Sequence, residues 1–173
     1  YPCVGEDHPG LRYFRSVRTT GRNESTVVAL FSAKLLNTGT SYMKMWMPAS
    51  SDVSYFTALA PSAKTASSPY QSKPSLVVTM RKEKPAVEEP FVVVYEPISD
   101  KLSTGLIESV DRIKLDSLGK KGCAIKVKTK EGDTFTLVNI LKDGPVILNN
   151  QKCCGDFAIF AKRKGKNSVY VGN

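Results

Sequence analysis

Few side chains in this sequence are placed to do chemistry, and none is placed to do it alone. His8 is the single histidine. It lies in Glu6-Asp-His-Pro-Gly10, a turn sequence in which an imidazole beside two carboxylates is a metal-site fragment, a general base or a solvated loop residue. Glu88-Glu89 forms an acidic pair, but in a Pro-flanked connector that reads as a solvated charge pair rather than the carboxylates of a glycoside hydrolase. Gly-x-Ser-x-Gly is missing, and no glycine-rich phosphate loop precedes a helix, which argues against a nucleotide enzyme. No catalytic residue, metal set or cofactor is therefore expected from this chain.

Residues suited to binding are more numerous. Arg12, Arg15, Arg18 and Arg22 run through a segment that also holds Tyr13 and Phe14. Guanidinium forks suit carboxylate and sulfate, and aromatic rings stack on sugar faces. On a strand, however, Arg12 and Arg18 share one face while Arg15 takes the other. In Ser41-Tyr-Met-Lys-Met-Trp-Met-Pro48, Tyr42, Lys44, Trp46 and Pro48 share a face opposite Met43, Met45 and Met47. The methionine face is expected to be core. The Tyr-Lys-Trp face is a sugar platform, ordinary packing or a domain interface. Lys126, Lys128 and Lys130 alternate with Cys123, Ile125 and Val127, a wet and a buried face of one strand. The glycan-contact candidates are thus Tyr42, Lys44, Trp46, Arg12, Arg18, Lys126 and Lys128.

These residues must be positioned by strands, since helical periodicity is almost absent. Short apolar runs rich in β-branched and aromatic residues, bounded by Pro, Ser or charge clusters, predict strands near 12–18, 26–34, 41–47, 53–59, 75–81, 91–96, 105–114, 123–129, 133–141, 145–148, 156–162 and 167–171. Turns fall at Glu131-Gly-Asp133, Lys142-Asp-Gly-Pro145 and Lys162-Arg-Lys-Gly-Lys-Asn167. The Ser-, Ala-, Lys- and Pro-rich segment 61–74 reads as a long surface loop, and Lys82–Pro90 as a charged connection. The expected architecture is all-β, an antiparallel sandwich or jelly-roll-like pair of sheets of about ten to twelve short strands, forming one domain over 1–173.

Composition sets the class. With 173 residues, 41% hydrophobic and 24% charged, the chain is long enough to bury a core without disulfides or metals. No apolar run approaches the roughly 20 residues that span a bilayer, so no membrane partner is expected. The start, Tyr1-Pro-Cys-Val-Gly-Glu-Asp7, is polar, lacks an initiating Met and reads as a processed or truncated piece. The net charge of +9 is uneven, with 11 basic and 9 acidic residues in 1–100 against 14 and 7 in 101–173. A lysine-rich half suits polyanions, or is a solvated surface on which edge lysines deter aggregation. Nucleic acid is not expected, because the RNA-recognition signature Lys/Arg-Gly-Phe/Tyr-Gly/Ala-Phe is absent. Cys3, Cys123, Cys153 and Cys154 match no zinc spacing. Free thiols are the default, and a bridge from Cys123 to Cys153 or Cys154 is the alternative in an exported protein.

Four of the runs, Tyr42–Pro48, Tyr55–Pro61, Pro74–Arg81 and Phe91-Val-Val-Val-Tyr-Glu-Pro97, also resemble the C-terminal β-domain of heparinase II/III-like polysaccharide lyases. In that pattern a Trp-Met-Pro strand precedes a variable loop, a Pro-x-Leu-x-Val strand and a closing Phe-Val-x-Val-Tyr-Glu-Pro strand. Ala124–Val127 and Gly155-Asp-Phe-Ala-Ile-Phe160 extend the resemblance over most of the chain from about residue 25. It implies a secreted or periplasmic enzyme that cleaves acidic polysaccharide by β-elimination. Its catalytic Tyr and His would lie in an upstream helical toroid and the first part of the β-region. With only His8 here, the resemblance implies an accessory domain that packs on upstream catalytic domains of the same parent chain. Such a domain would line the cleft, bind acidic glycan as an independent module, or serve structure alone.

Overall fold

The computed structural model describes residues 14–35, 39–60, 76–82, 90–101, 104–113, 122–140, 146–148, 151–153 and 156–172. They form thirteen strands and, among the described residues, no helix. The strands are β1 (Arg15–Asn23), β2 (Val27–Leu35), β3 (Gly39–Met47), β4 (Ser50–Leu59), β5 (Leu76–Lys82), β6 (Val94–Ile98), β7 (Ile107–Ile113), β8 (Gly122–Thr129), β9 (Thr134–Ile140), β10 (Val146–Leu148), β11 (Gln151–Cys153), β12 (Phe157–Arg163) and β13 (Lys166–Gly172). Three sheets have the orders β1-β4-β5, β2-β3-β6 and β13-β12-β9-β8-β7, and β10 pairs β11 as a hairpin. The expectation of an antiparallel all-β fold is met. The twelve anticipated strands are all present, and the short β11 is the addition. The four-residue segment from Leu148 to Gln151 joins β10 to β11 too tightly for two separate runs to stand out in the sequence.

The chain divides into two compact units. The smaller comprises residues 1–23 and 51–83, and the larger 24–50 and 84–173. In the smaller unit β4 pairs antiparallel with β5 from Val53↔Lys82 to Leu59↔Leu76, and Val53, Tyr55 and Ala58 are buried.

The larger unit is a sandwich in its own right. β7, β8, β9, β12 and β13 form a meander in which each strand pairs antiparallel with the next. β3 lies between β2 and β6. Alternation along β8 sends Ile125 and Val127 to the inner face, where they join Val110 of β7. Trp46 and Val94 pack on this cluster from the other sheet, Val92 from the segment just before β6, and Phe135 and Leu137 from β9. Val110 is wholly buried. Burying each such aliphatic side chain contributes about 1.5–3 kcal/mol. Thr26 also crosses between the sheets, its hydroxyl donating to the Val110 carbonyl at 3.0 Å.

The outer face of the five-stranded sheet is wet along only part of its length. Lys126 and Lys128 are exposed there, as the alternation predicts. Ala124 on the same face is buried with Val138 and Ile140, and Ile113 and Phe160 pack on them. At that end both faces of β8 are covered, so a strict one-wet-face hairpin holds only from Lys126 onward. The β12–β13 turn falls where the sequence puts it. Arg163 pairs Lys166, and Lys164 and Gly165 both have positive φ, 47° and 78°. This is the two-residue turn whose twist matches antiparallel strands.

Candidate functional site

Four segments of the larger unit converge where the chain enters β7. Glu96 of β6 is the centre. It sits directly opposite Lys44 of β3 and is 6% exposed. A charge buried that deeply requires hydrogen-bond partners, and Glu96 has three. Its Oε2 accepts from the Trp46 indole Nε1 at 2.9 Å, and its Oε1 accepts from the backbone N–H groups of Leu106 and Ile107. The carboxylate thereby fixes residues 104–107 against the sheet. Gly105 belongs to this arrangement: its φ is +72°, and a Cβ there would stand 2.3 Å from Glu96 Oε1. Only glycine permits both that backbone conformation and that approach.

The fixed loop presents its carbonyls to two lysines from different sheets. Lys44 Nζ donates to the Thr104 carbonyl at 2.5 Å. Lys130, just past β8, donates Nζ to the carbonyls of Thr104 and Gly105, each at 3.0 Å. The Lys130 backbone N–H bonds the Leu106 carbonyl at 2.9 Å, closing the loop from the other side. Sharing one acceptor at 2.5 and 3.0 Å puts the two ammonium nitrogens no more than about 5.5 Å apart. At solvent dielectric their repulsion is roughly 1 kcal/mol, and the carbonyl dipoles and Glu96 offset it. Among the described residues neither ammonium is paired with a carboxylate.

The other candidates are dispersed. Lys128 forms an ion pair with Glu108 at 3.0 Å, each side chain 48% exposed, and Lys126 stands opposite Asp111. These two lysines lie on the outer face of their sheet, the side away from the Trp46 cluster. Arg18 is exposed on β1 in the smaller unit, and Arg12 lies outside the described residues. Tyr42 is half-buried between Ser32 and Ile98. Trp46 is half-buried: it packs on the cluster of Val110, Ile125 and Val127 and its N–H is committed to Glu96. The Tyr-Lys-Trp face is therefore not an open stacking platform, because its tryptophan end is built into the sandwich. On the methionine face Met45 and Met47 are buried as expected, while Met43 is 37% exposed.

Glu96, Lys130 and Gly105 are functional candidates that sequence reasoning passed over. A signal existed for Glu96, a lone carboxylate following Val92-Val-Val-Tyr95. None existed for Gly105, whose role depends on a partner distant in sequence.

Cys123 is a free, half-buried thiol, so neither alternative bridge is formed through it. Burial pushes its pKa up, and the Arg112 guanidinium partly opposes that shift. It lines an apolar cavity of about 230 Å³ with Val92, Ile125, Leu137, Phe157 and Ile159. Arg112 donates to the Pro90 carbonyl at 2.9 Å. Among the described residues no three His, Cys, Asp or Glu side chains gather as a metal set. His8 lies outside the described residues.

No protein-family model matches the chain, and no solved structure does. A curated protein does: an endo-acting ulvan lyase of Formosa agariphila is 36% identical over 89 residues. The match covers 51% of this chain and 10% of that enzyme, so the chain corresponds to a small part of the relative's length. The similarity relates this chain to a polysaccharide lyase.

Proposed function

We propose that this chain is a non-catalytic β-domain of an exported, heparinase II/III-like polysaccharide lyase, supporting the catalytic domains and contacting the acidic glycan they cleave. The observation that supports the polysaccharide-lyase part of this reading is the 36% identity to an ulvan lyase over 89 residues. β-Elimination at a uronic acid needs three things: the carboxylate neutralised, the C5 proton abstracted and the leaving oxygen protonated. Paired lysines serve the first need. The second and third call for a positioned base and acid, and among the described residues no such pair converges with them. A contacting role fits that division, with the proton chemistry supplied from elsewhere in the parent.

The test is to incubate the chain with ulvan and assay for unsaturated uronic acid product, alongside retention on immobilised ulvan and on immobilised polyglutamate. Expected are retention that favours ulvan and no product. Product from this chain alone overturns the accessory assignment. Equal retention on both columns overturns specific glycan contact and leaves a structural domain with a basic surface.

A further inference from the structure

We propose that the Lys44–Lys130 corner is a subsite for an oxyanion carried on a sugar ring, either a uronate carboxylate or a sulfate ester. This inference rests on the glycan-contacting reading above and names where the contact is made.

Donor count is the first argument. An ammonium carries three N–H groups and no acceptor. Lys44 commits one to Thr104, and Lys130 commits one each to Thr104 and Gly105. Among the described residues three donors therefore have no partner, on two nitrogens that are held within about 5.5 Å of each other. Adjacent oxygens of one carboxylate or sulfate can accept from both at once, in the short charge-assisted bonds such groups form.

Rigidity is the second. Lysines ordinarily lose side-chain freedom on binding, and that loss weakens surface contacts. Here both are already held by carbonyls of a loop that is itself fixed. Glu96 accepts the Leu106 and Ile107 N–H groups, and the Lys130 N–H bonds the Leu106 carbonyl. The ordering that an anion would otherwise impose is built into the fold.

Contrast with the two lysines on the outer face of β8 is the third. Lys128 has Glu108 as its counter-ion, and Lys126 faces Asp111 across the ladder. The carboxylate opposite Lys44, Glu96, has its oxygens turned to Trp46, Leu106 and Ile107. It lowers the net charge of the corner but does not occupy the ammonium groups.

The experiment compares K44Q/K130Q with K162Q/K166Q, which removes two exposed lysines from β12 and β13, and with the charge-retaining K44R/K130R. Affinity electrophoresis in ulvan, polygalacturonate (carboxylate alone) and dextran sulfate (sulfate alone) gives the dissociation constants. A thermal melt confirms folding. K44Q/K130Q is expected to weaken binding about tenfold, the scale of one or two exposed charge-assisted bonds. K162Q/K166Q should change it less than about twofold, and K44R/K130R should bind better than K44Q/K130Q. Loss on polygalacturonate alone assigns a carboxylate, and loss on dextran sulfate alone assigns a sulfate. Equal weakening by both glutamine pairs overturns the subsite while leaving a glycan-contacting domain in place. A second arm follows the Gly105 and Leu106 amide resonances during titration with glucuronate and with inorganic sulfate. Shifts there without any polysaccharide binding keep the subsite and overturn the glycan reading. No shift and no polysaccharide binding overturns both.

Discussion

Replacing Gly105 by alanine, Glu96 by alanine, and both together tests whether the buried carboxylate and the loop it holds act as one device. In the single G105A variant an L-residue must adopt φ near +72°, at a cost of about 1–2 kcal/mol. Its Cβ would also stand 2.3 Å from Glu96 Oε1 and 2.6 Å from Cδ. The carboxylate must move, and its bonds to Trp46, Leu106 and Ile107 move with it. We expect a total of about 3–5 kcal/mol once at least one of those donors loses its partner. E96A removes the acceptor outright. Leu106 is 65% exposed and its N–H regains water readily, so the cost falls mainly on the half-buried Trp46 and Ile107 donors. At about 1–3 kcal/mol each, that is roughly 2–6 kcal/mol.

In the double variant the space left by the carboxylate accepts the new methyl group, and only the φ cost remains from G105A. The two changes should therefore be less than additive by about 2 kcal/mol or more, well beyond the scatter of independent sites. Urea unfolding followed by fluorescence is the assay. Trp46 is the sole tryptophan, it lies in the larger unit, and it hydrogen-bonds the residue being changed. An E96Q control keeps an oxygen for the two backbone N–H groups but turns an amide NH₂ toward the Trp46 N–H, costing about 1–3 kcal/mol. Additivity of E96A and G105A within about 0.5 kcal/mol would refute the coupling, as would an E96A cost below about 1 kcal/mol.

Two further outcomes follow from the larger unit. Asp133 is only 7% exposed and its carboxylate joins two hairpin ends, accepting from the Lys164 N–H at 3.1 Å and from Arg163 Nε at 3.3 Å. D133A should cost about 1–3 kcal/mol in urea unfolding, mostly from the Lys164 N–H, since the Arg163 side chain is 67% exposed and its ion pair is worth little. D133N, which keeps an acceptor oxygen, should cost less, and equal costs for the two variants count against a bonding role. For Cys123, burial raises the folded pKa above 9.0, so the folded state holds the proton more tightly than the unfolded chain. Stability is unaffected well below pH 9 and falls as pH rises through the folded pKa. Iodoacetamide should alkylate Cys123 more slowly in the folded chain than in urea near pH 9, read by peptide mass spectrometry. R112M should slow it further, and equal folded and unfolded rates would remove burial as the cause.

Strand positions were legible because the physics that sets them is local. Cys123 to Val127 alternates apolar and polar residues at the period of a pleated strand, and the structure follows it with Ile125 and Val127 inside and Lys126 outside. Burial on the second face was not legible. Ala124 reads as a neutral small residue, and its covering depends on Val138 and Ile140 arriving from β9. Trp46 shows the limit for the candidate site. Its type and face fit either a sugar platform or packing, and the decision is made by Glu96, fifty positions away. Division of the chain into two units was hidden for the same reason: each unit is assembled from segments separated in sequence.

The lysine face of β8 is the one that strand alternation points to, yet that face has Glu108 and Asp111 as its counterparts. The corner at Thr104 has fewer lysines and a better claim, because what makes ammonium groups useful to an oxyanion is the state in which they are held. A lysine facing a carboxylate must give up that partner to bind. One anchored to a neutral carbonyl keeps its charge and its remaining donors, and the carbonyl positions it without neutralising it. Gly105 is what turns the loop so that the Thr104 and Gly105 carbonyls reach Lys130 while the following two N–H groups reach Glu96. The same glycine thus serves the core on one side and the lysines on the other. A G105A variant that folds should accordingly lose glycan retention with both lysines still present, which a simple basic patch would not do.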